Sequence, residues 1–289
     1  MNALNYFKKE KIHDVFLGYC KNGNLAMIKQ LVLSPLTSES ISSHIISHCL
    51  TLTCETKHLD IIDYLLTSDD LIQKADIDFN NNKAIHAACY TGNLELVEYL
   101  LTSPRLKKHA NIHYDFCLID ACANGHLNVV SYLLTSSKLK EHADIHAVSQ
   151  ACFTKAVRKG QLAIVNYLLT SPELSEHVSI ENKNNALLEL CCLNKQFHIL
   201  DYLLKSPALK THLDLYQEPS IWLNCFTKEK YEHLHYLIFD YKVQLTEKIK
   251  SCIKDKPEIQ KMFDLRAFQD NLTEQLSTKS SVIQNKHKL

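Results

Sequence analysis

The chain has 289 residues, of which 46% are hydrophobic and 22% are charged, so it can bury a core in one large domain or two. The 32 basic and 32 acidic side chains cancel, which gives no support to a broad basic surface for nucleic acid. No apolar run reaches membrane-spanning length, and residues 1–16 lack the apolar segment of a secretory signal. We therefore expect a cytoplasmic chain with reduced cysteines and without nucleic-acid or membrane partners.

The first predicted element is a polar capping helix over residues 1–14. Over residues 15–245 one string then returns with small changes: residues 98–112 read EYLLTSPRLKKHANI and residues 131–145 read SYLLTSSKLKEHADI. We call the residue at the place of the tyrosine in this string the anchor of its unit. The anchors recur every 33 to 35 residues, at Gln30, Tyr64, Tyr99, Tyr132, Tyr167, Tyr202 and Tyr236. Such a period predicts an array of about seven repeats.

Each repeat is predicted to be a pair of helices. Apolar residues surround the anchor at helical spacing, and a second apolar series lies fourteen residues earlier, so neighbouring pairs must stack to cover both faces. Glycines such as Gly92, seven residues before the anchor, suit a left-handed turn between the two helices. Lys57 and Lys195 stand at the same place, at an expected cost of about 1 kcal/mol each.

The segment that follows the second helix is predicted in two parts. Serine and proline, as at Ser103 and Ser171, favour a new helical turn, because serine is a good N-cap and proline a good first helical residue. The next four residues, such as ADIH, should be extended.

After the repeats, residues 246–276 are predicted to form C-terminal capping helices. Pro257 opens the last of them, and its apolar residues, which should seal the last repeat, recur near helical spacing: Ile259, Met262, Phe263, Leu265, Phe268, Leu272 and Leu276. Residues 277–289 are polar and predict a flexible tail.

Cysteine and histidine are the residues most suited to chemistry here. Ten of the eleven cysteines fall at three fixed positions of the repeat, which favours small packing residues over redox or catalytic thiols, and Cys252 alone is out of phase. Four histidines lie ten residues after their anchors, at His109, His142, His177 and His212. The pairs His109–His113 and His142–His146 have the i, i+4 spacing of zinc ligands, but a structural or solvent-facing role is favoured because the residues between them should leave the helix.

The sequence contains no recognisable catalytic constellation. It has no Gly-x-Ser-x-Gly, no HExxH and no glycine-rich phosphate loop. We therefore expect no catalytic residues, no metal site and no cofactor.

The candidate partner-binding residues occupy exposed positions that differ between repeats. Those at the ends of the first helices are Tyr90, Thr91, Asn124, Arg158 and Lys159, and Lys155 completes a basic cluster that could equally be a solvated face. Those in the loops before the first helices are Phe79, Tyr114, Asp115 and Phe116. Aromatic residues at such loop positions either anchor a partner or pack on the neighbouring loop.

Three segments carry a resemblance to a known family. Residues 92–97 (GNLELV), residues 125–130 (GHLNVV) and residues 84–88 (AIHAA) resemble the ankyrin repeat, and the likeness extends over about residues 10–245. It implies an all-α solenoid of helix pairs that binds proteins. The family's Thr-Pro pair is absent, and only His86 matches its histidine. The inserted turn after each second helix is similar to that of ankyrin-repeat effectors of intracellular bacteria, which implies a host-protein partner.

The leading prediction is a non-catalytic scaffold for protein–protein interaction. We expect a monomer, cytoplasmic or secreted into a host-cell cytosol without a cleaved signal peptide. An alternative is an enzyme or regulatory subunit whose activity depends on the C-terminal segment or on a missing partner domain. A third is a purely structural protein that bridges two partners.

Overall fold

The computed structural model describes residues 3–112, 116–181, 184–224 and 232–286. Within these ranges the secondary structure is helical, with no strand, which confirms the predicted all-α class. The chain divides into two compact units, Met1–Val178 and Ser179–Leu289.

The first unit consists of helix pairs that follow one another in the chain. They are α1 (Ala3–Lys21) with α2 (Leu25–Leu33), α3 (Ser43–Thr56) with α4 (Leu59–Thr67), α5 (Phe79–Thr91) with α6 (Leu94–Thr102), α7 (Phe116–Ala123) with α8 (Leu127–Thr135), and α9 (Ala147–Lys159) with α10 (Leu162–Thr170). The two helices of a pair pack on each other, and each first helix packs on the next first helix. The pairs therefore stack as repeats.

The beginning of the chain differs from the prediction. Residues 3–14 are helical, but they do not form a separate capping helix, because α1 continues without a break to Lys21. The physical reason is that the first residue with a left-handed backbone is Gly23, at φ +72°.

The core lies between the helices of each pair and between neighbouring pairs. In the third repeat Leu96, Val97 and Leu100 of the second helix are fully buried, and so is Ile85 of the first helix. Burying one such side chain contributes about 1.5–3 kcal/mol. Because the same positions are buried in each pair from α3 and α4 to α9 and α10, apolar burial between repeats holds the stack together.

The turn between the two helices of a pair is left-handed, as predicted. Gly92 has φ +69° and Gly160 has φ +77°, and Lys57 takes the same conformation at φ +66°. The next repeat approaches closely here. A Cβ atom added to Gly92 would lie 2.3 Å from Nδ1 of His126, so this glycine is needed for space as well as for backbone freedom.

The Ser-Pro step forms a single hydrogen-bonded turn, in agreement with the predicted new turn, and residues 104–112 contain no helix. The Ser103 N–H donates to the Tyr99 carbonyl at 3.1 Å and so ends α6, while the Ser103 carbonyl accepts the Leu106 N–H at 3.1 Å. The residues beyond the turn form no strand. They are held by backbone hydrogen bonds such as Ala110 N–H to the Leu100 carbonyl at 2.9 Å.

The recurring histidines close this turn. Nε2 of His109 lies 3.0 Å from the Ser103 carbonyl oxygen, and His142, His177 and His212 make the same contact in their own repeats at 3.0, 2.8 and 2.7 Å. A carbonyl oxygen can only accept, so each ring donates from Nε2–H. The series is therefore structural. His146, which has the i, i+4 spacing from His142 but was expected to be structural or solvent-facing, contacts the Glu176 carboxylate at 3.1 Å, and His113 lies outside the described residues.

The cysteines pack at the contacts between repeats. The thiols of Cys89 and Cys117, which come from adjacent first helices, share a hydrogen bond that, together with burial, raises the pKa of Cys89. Burial raises the pKa of Cys54 in the first unit and that of Cys191 in the second, the latter to about 12. Such thiols behave as small apolar side chains rather than nucleophiles.

We expect this burial to protect the cysteines from thiol reagents. In the native protein at pH 8, Cys252, which is partly exposed, should react fast with an aromatic disulfide reagent, whereas the nine buried cysteines should react only after unfolding in urea. Cys252→Ser should remove one fast equivalent and leave the slow ones unchanged. Fast reaction of several equivalents in this variant would contradict the packing.

The second unit contains two further first helices and a C-terminal group. It comprises α11 (Asn184–Leu193), α12 (Phe197–Lys205), α13 (Pro219–Asn224), α14 (Glu232–His235), a π-helical segment (Tyr236–Asp240), α15 (Glu247–Ile253) and α16 (Pro257–Lys286). Helix α11 packs on α12 and α13, and α13 packs on α15. Lys195 is left-handed at φ +57°, as expected for the turn between α11 and α12.

Helix α16 seals this unit with its first turns only. Ile259 and Phe263 are buried, as predicted. The prediction is wrong for four residues that are about half exposed or more, namely Leu265, Phe268, Leu272 and Leu276. The helix also continues to Lys286, so residues 277–286 are helical rather than an irregular tail, because no glycine or proline interrupts them. Residues 287–289 lie outside the described ranges.

Candidate partner-binding surface

The predicted outward residues of the first helices lie on three helices that pack in series. Tyr90 is near the C-terminal end of α5 and is 58% exposed, Asn124 follows α7, and Arg158 and Lys159 end α9. Since α5 packs on α7 and α7 packs on α9, these ends fall side by side. We call the residues Tyr90, Thr91, Asn124, Lys155, Arg158 and Lys159 the C-terminal row.

The backbone under this row is held by hydrogen bonds within and between repeats. The Tyr90 carbonyl accepts from Nε2 of His126 in the next repeat at 2.8 Å. Thr91 is half-buried, and its hydroxyl donates to the Ala87 carbonyl at 2.9 Å, so it is turned away from solvent. The Asn124 amide donates to the Asp120 carbonyl at 2.8 Å. The row is therefore preorganised at its backbone, while Tyr90 projects outward.

The basic part of the row lies on one face of α9. Lys155, Arg158 and Lys159 have the i, i+3, i+4 spacing of helical neighbours, and all three are exposed. Arg158 and Lys159 stand in the last turn, where positive charge offsets the partial negative charge of the helix end. This gives Arg158 and Lys159 a structural role at the end of α9.

The aromatic loop residues have different surroundings. Phe79 is half-buried, and its ring meets His44 of the preceding repeat edge-on at 5.1 Å. Phe116 is 59% exposed, with its ring 5.7 Å from that of His86. Tyr114 and Asp115 lie outside the described residues. Phe116 can therefore contact a partner, whereas much of Phe79 is used in contact between repeats.

Phe116 and the C-terminal row are separated along the first helices. Phe116 begins α7, and Asn124 follows the end of the same helix. Eight residues of α-helix rise about 12 Å. The structure thus gathers Tyr90, Asn124 and the basic face of α9 into one row and places Phe116 at the opposite helix end.

Sequence reasoning missed a set of polar contacts that join successive repeats. The Tyr99 hydroxyl donates to Oδ1 of Asp63 at 2.5 Å, and Oδ2 of the same carboxylate meets Nη2 of Arg105 at 2.8 Å. Asp63 immediately precedes the anchor of the preceding repeat. At the equivalent place one repeat earlier, the Lys29 ammonium lies over the Tyr64 ring, 5.3 Å from its centroid. The sequence does carry a signal for these contacts between repeats, because a polar residue precedes every anchor.

These contacts change the acidity of the anchors. Burial raises the pKa of Tyr99, and the hydrogen bond to Asp63 and the charge of that carboxylate raise it further. Burial, as the largest cause, also raises the pKa of Tyr64 to about 12. Both hydroxyls are therefore neutral donors near neutral pH.

A second feature outside the prediction is an open groove of about 510 Å³ between the inserted turns of the third and fourth repeats. Its wall includes Leu101, Ile112 and Leu139, with His109 and Lys140 among its polar residues. A groove of this size that mixes apolar and charged groups is typical of a surface contact.

The described part of the chain contains neither a cluster of metal-ligating side chains nor a helix that could span a membrane. Across residues 3–112, 116–181, 184–224 and 232–286, no three His, Cys, Asp or Glu side chains converge so that they could hold a metal ion. Those same ranges contain no helix with both the length and the apolar character needed to cross a membrane.

Together these features define a protein of stacked helix-pair repeats with a uniform core and variable exposed helix ends. The family model for ankyrin repeats (three copies) matches residues 17–112 and 71–147. This match and the stacking support an ankyrin-repeat protein, and such repeats are generally protein–protein interaction modules. The search of curated proteins and the search of solved structures find no match.

Proposed function

We propose that the protein is a non-catalytic scaffold that binds a partner protein through the C-terminal row. One observation carries this proposal. The two positions before the left-handed turn differ between packed first helices: they hold Tyr90 and Thr91, Ala123 and Asn124, and Arg158 and Lys159, although the cores beneath them are alike. Core residues repeat because stacking demands it, whereas the exposed ones differ and so can encode a partner.

The chemistry of the row favours a partner segment that combines acidic side chains with an apolar one. Three cations on α9 would pair with carboxylates, and the Tyr90 ring offers an apolar surface with a hydroxyl at its edge. The backbone is already held in place, so little ordering opposes binding. Because the cations are exposed, the affinity should fall as salt concentration rises.

The proposal also covers the kind of partner and the place where it is bound. On the sequence resemblance to effectors of intracellular bacteria, we infer a host protein as the partner and the host cytosol as the place of binding. The test is affinity purification of the full chain from host-cell lysate, with mass spectrometry of what is retained. Recovery of no protein above a bead control would count against the scaffold itself.

The contribution of the C-terminal row is tested with matched variants of this chain, whose affinities for the captured partner are compared. Lys155→Ala, Arg158→Ala and Lys159→Ala together should weaken binding by roughly tenfold or more, because they remove the cations that steer and hold an acidic segment. The control is Lys11→Ala, Lys83→Ala and Lys107→Ala, which removes the same charge from exposed lysines elsewhere in the first unit. Equal affinity of the two triple variants in calorimetric titration would exclude this row.

A further inference from the structure

Helix α16 has one face that is packed and another whose large apolar side chains are about half exposed or more. On the packed face, Phe263 is buried, and the Arg266 guanidinium donates to the carbonyls of Ile238 at 3.3 Å and Val243 at 2.5 Å. Asp270 meets the Lys242 ammonium at 3.1 Å. The opposite face carries Leu265, Phe268, Leu272 and Leu276, which are 50, 66, 47 and 59% exposed. We call these four residues the α16 stripe.

The part of α16 just beyond Asp270 is exposed to solvent. Residues 271–276 are all exposed, and the helix continues to Lys286. Packing of an apolar face, rather than helix propensity, supplies most of the stability of a helix in water. The stripe has spacings of three, four and four residues, which is the pattern that packs against another helix.

The charges along α16 indicate which helix fits. Residues 257–274 carry four acidic and two basic side chains, whereas residues 275–286 carry two basic side chains and no acidic one. A second copy in antiparallel orientation would set the basic part of each helix beside the acidic part of the other. A parallel copy would set like charges together, and the net charge of zero means that two whole chains do not repel each other.

The area of the stripe is also sufficient for two copies. Four large apolar side chains that are about half exposed present roughly 400 Å² per copy. Two stripes and their flanking side chains then approach the roughly 1,200 Å² at which specific interfaces begin.

We propose that two copies of this chain associate through antiparallel pairing of α16, with Leu265, Phe268, Leu272 and Leu276 in the seam. This dimer takes the place of the monomer expected from the sequence. The proposed dimer uses a surface other than the C-terminal row, so the test of the dimer is independent of the test of the proposed scaffold function.

The mass of the full chain in solution tests the dimer. Sedimentation velocity from low to high micromolar concentration should show twice the chain mass for the wild type. The double variant Phe268→Glu, Leu272→Glu should sediment as a monomer, and the control Ala267→Glu, Thr273→Glu, which adds the same charge at exposed positions off the stripe, should remain a dimer. A monomeric wild type, or a stripe variant that still dimerises, overturns the proposal.

The relative orientation of the two α16 helices is tested by a crosslinking experiment that introduces no charge into the stripe. A photoreactive benzoylphenylalanine at position 276 keeps the stripe apolar and should crosslink to the peptide that contains Leu265 of the other copy. Crosslinks confined to the peptide around position 276 would mean parallel helices and would overturn the arrangement. This measurement also decides the matter if the glutamate variant fails to fold.

Discussion

Gly92→Lys should lower the free energy of unfolding by about 3 kcal/mol. A non-glycine residue at φ +69° costs about 1–2 kcal/mol, because its Cβ crowds the backbone. The new Cβ would also lie 2.3 Å from Nδ1 of His126. The ring must then move away from the Tyr90 carbonyl, which it meets at 2.8 Å, and one hydrogen bond between repeats is lost. Urea unfolding followed by far-UV circular dichroism measures the effect.

The chain itself contains a combination of residues that should relieve this clash. Where lysine occupies the left-handed position, at Lys57, the next repeat has Asn93 in place of histidine. Asn93 is short and accepts the Leu96 N–H within its own helix at 3.3 Å. His126→Asn should therefore recover about half of the loss caused by Gly92→Lys, leaving only the backbone cost.

Two controls separate the backbone cost from the clash. Lys57→Gly should raise the free energy of unfolding by about 1 kcal/mol, because glycine adopts the left-handed conformation of Lys57 without a steric penalty. His126→Asn alone should cost about 1 kcal/mol. If the loss in the double variant equals the sum of the two single losses, the steric coupling between these residues does not exist.

Asp63→Ala should be the next most damaging change, at about 2 kcal/mol. It leaves the half-buried Tyr99 hydroxyl without its acceptor and Arg105 without its carboxylate. Tyr99→Phe added to Asp63→Ala should restore part of the loss, since the unpaired hydroxyl is then gone. Asp60→Ala, a nearby acidic side chain outside this network, is the matched control and should cost less than about 0.5 kcal/mol.

The hydrogen bond from Tyr99 to Asp63 should also make the stability of the protein depend on pH. The folded-state pKa of Tyr99 is raised above that of an unfolded tyrosine, which is about 10. Its contribution is therefore fully present below pH 10 and is lost as pH rises towards the folded pKa. The wild type should exceed Tyr99→Phe in stability at pH 8, and the difference should shrink above pH 10. A difference that grows with pH would contradict the hydrogen bond to Asp63.

Part of the architecture could be predicted because repetition makes weak local signals add up. The period of 33 to 35 residues located the second helices, and residues such as Leu100 and Val97 are buried where helical spacing put them. The left-handed residues were also predictable, since glycine at one phase has a single physical reason. The new turn at Ser103 was predictable, but serine before proline does not tell whether such a turn continues as a helix.

The sequence by itself determined the all-helical class, the phase of the repeats and the packing role of the cysteines, because these follow from local periodicity that a stacked array must repeat. Only the tertiary structure decided what each polar side chain does. His126 reaches the backbone of the preceding repeat, Asp63 meets Tyr99, and Phe268 remains uncovered. Such contacts join residues about 35 positions apart or depend on what is missing from a surface, and helical periodicity carries no information on either.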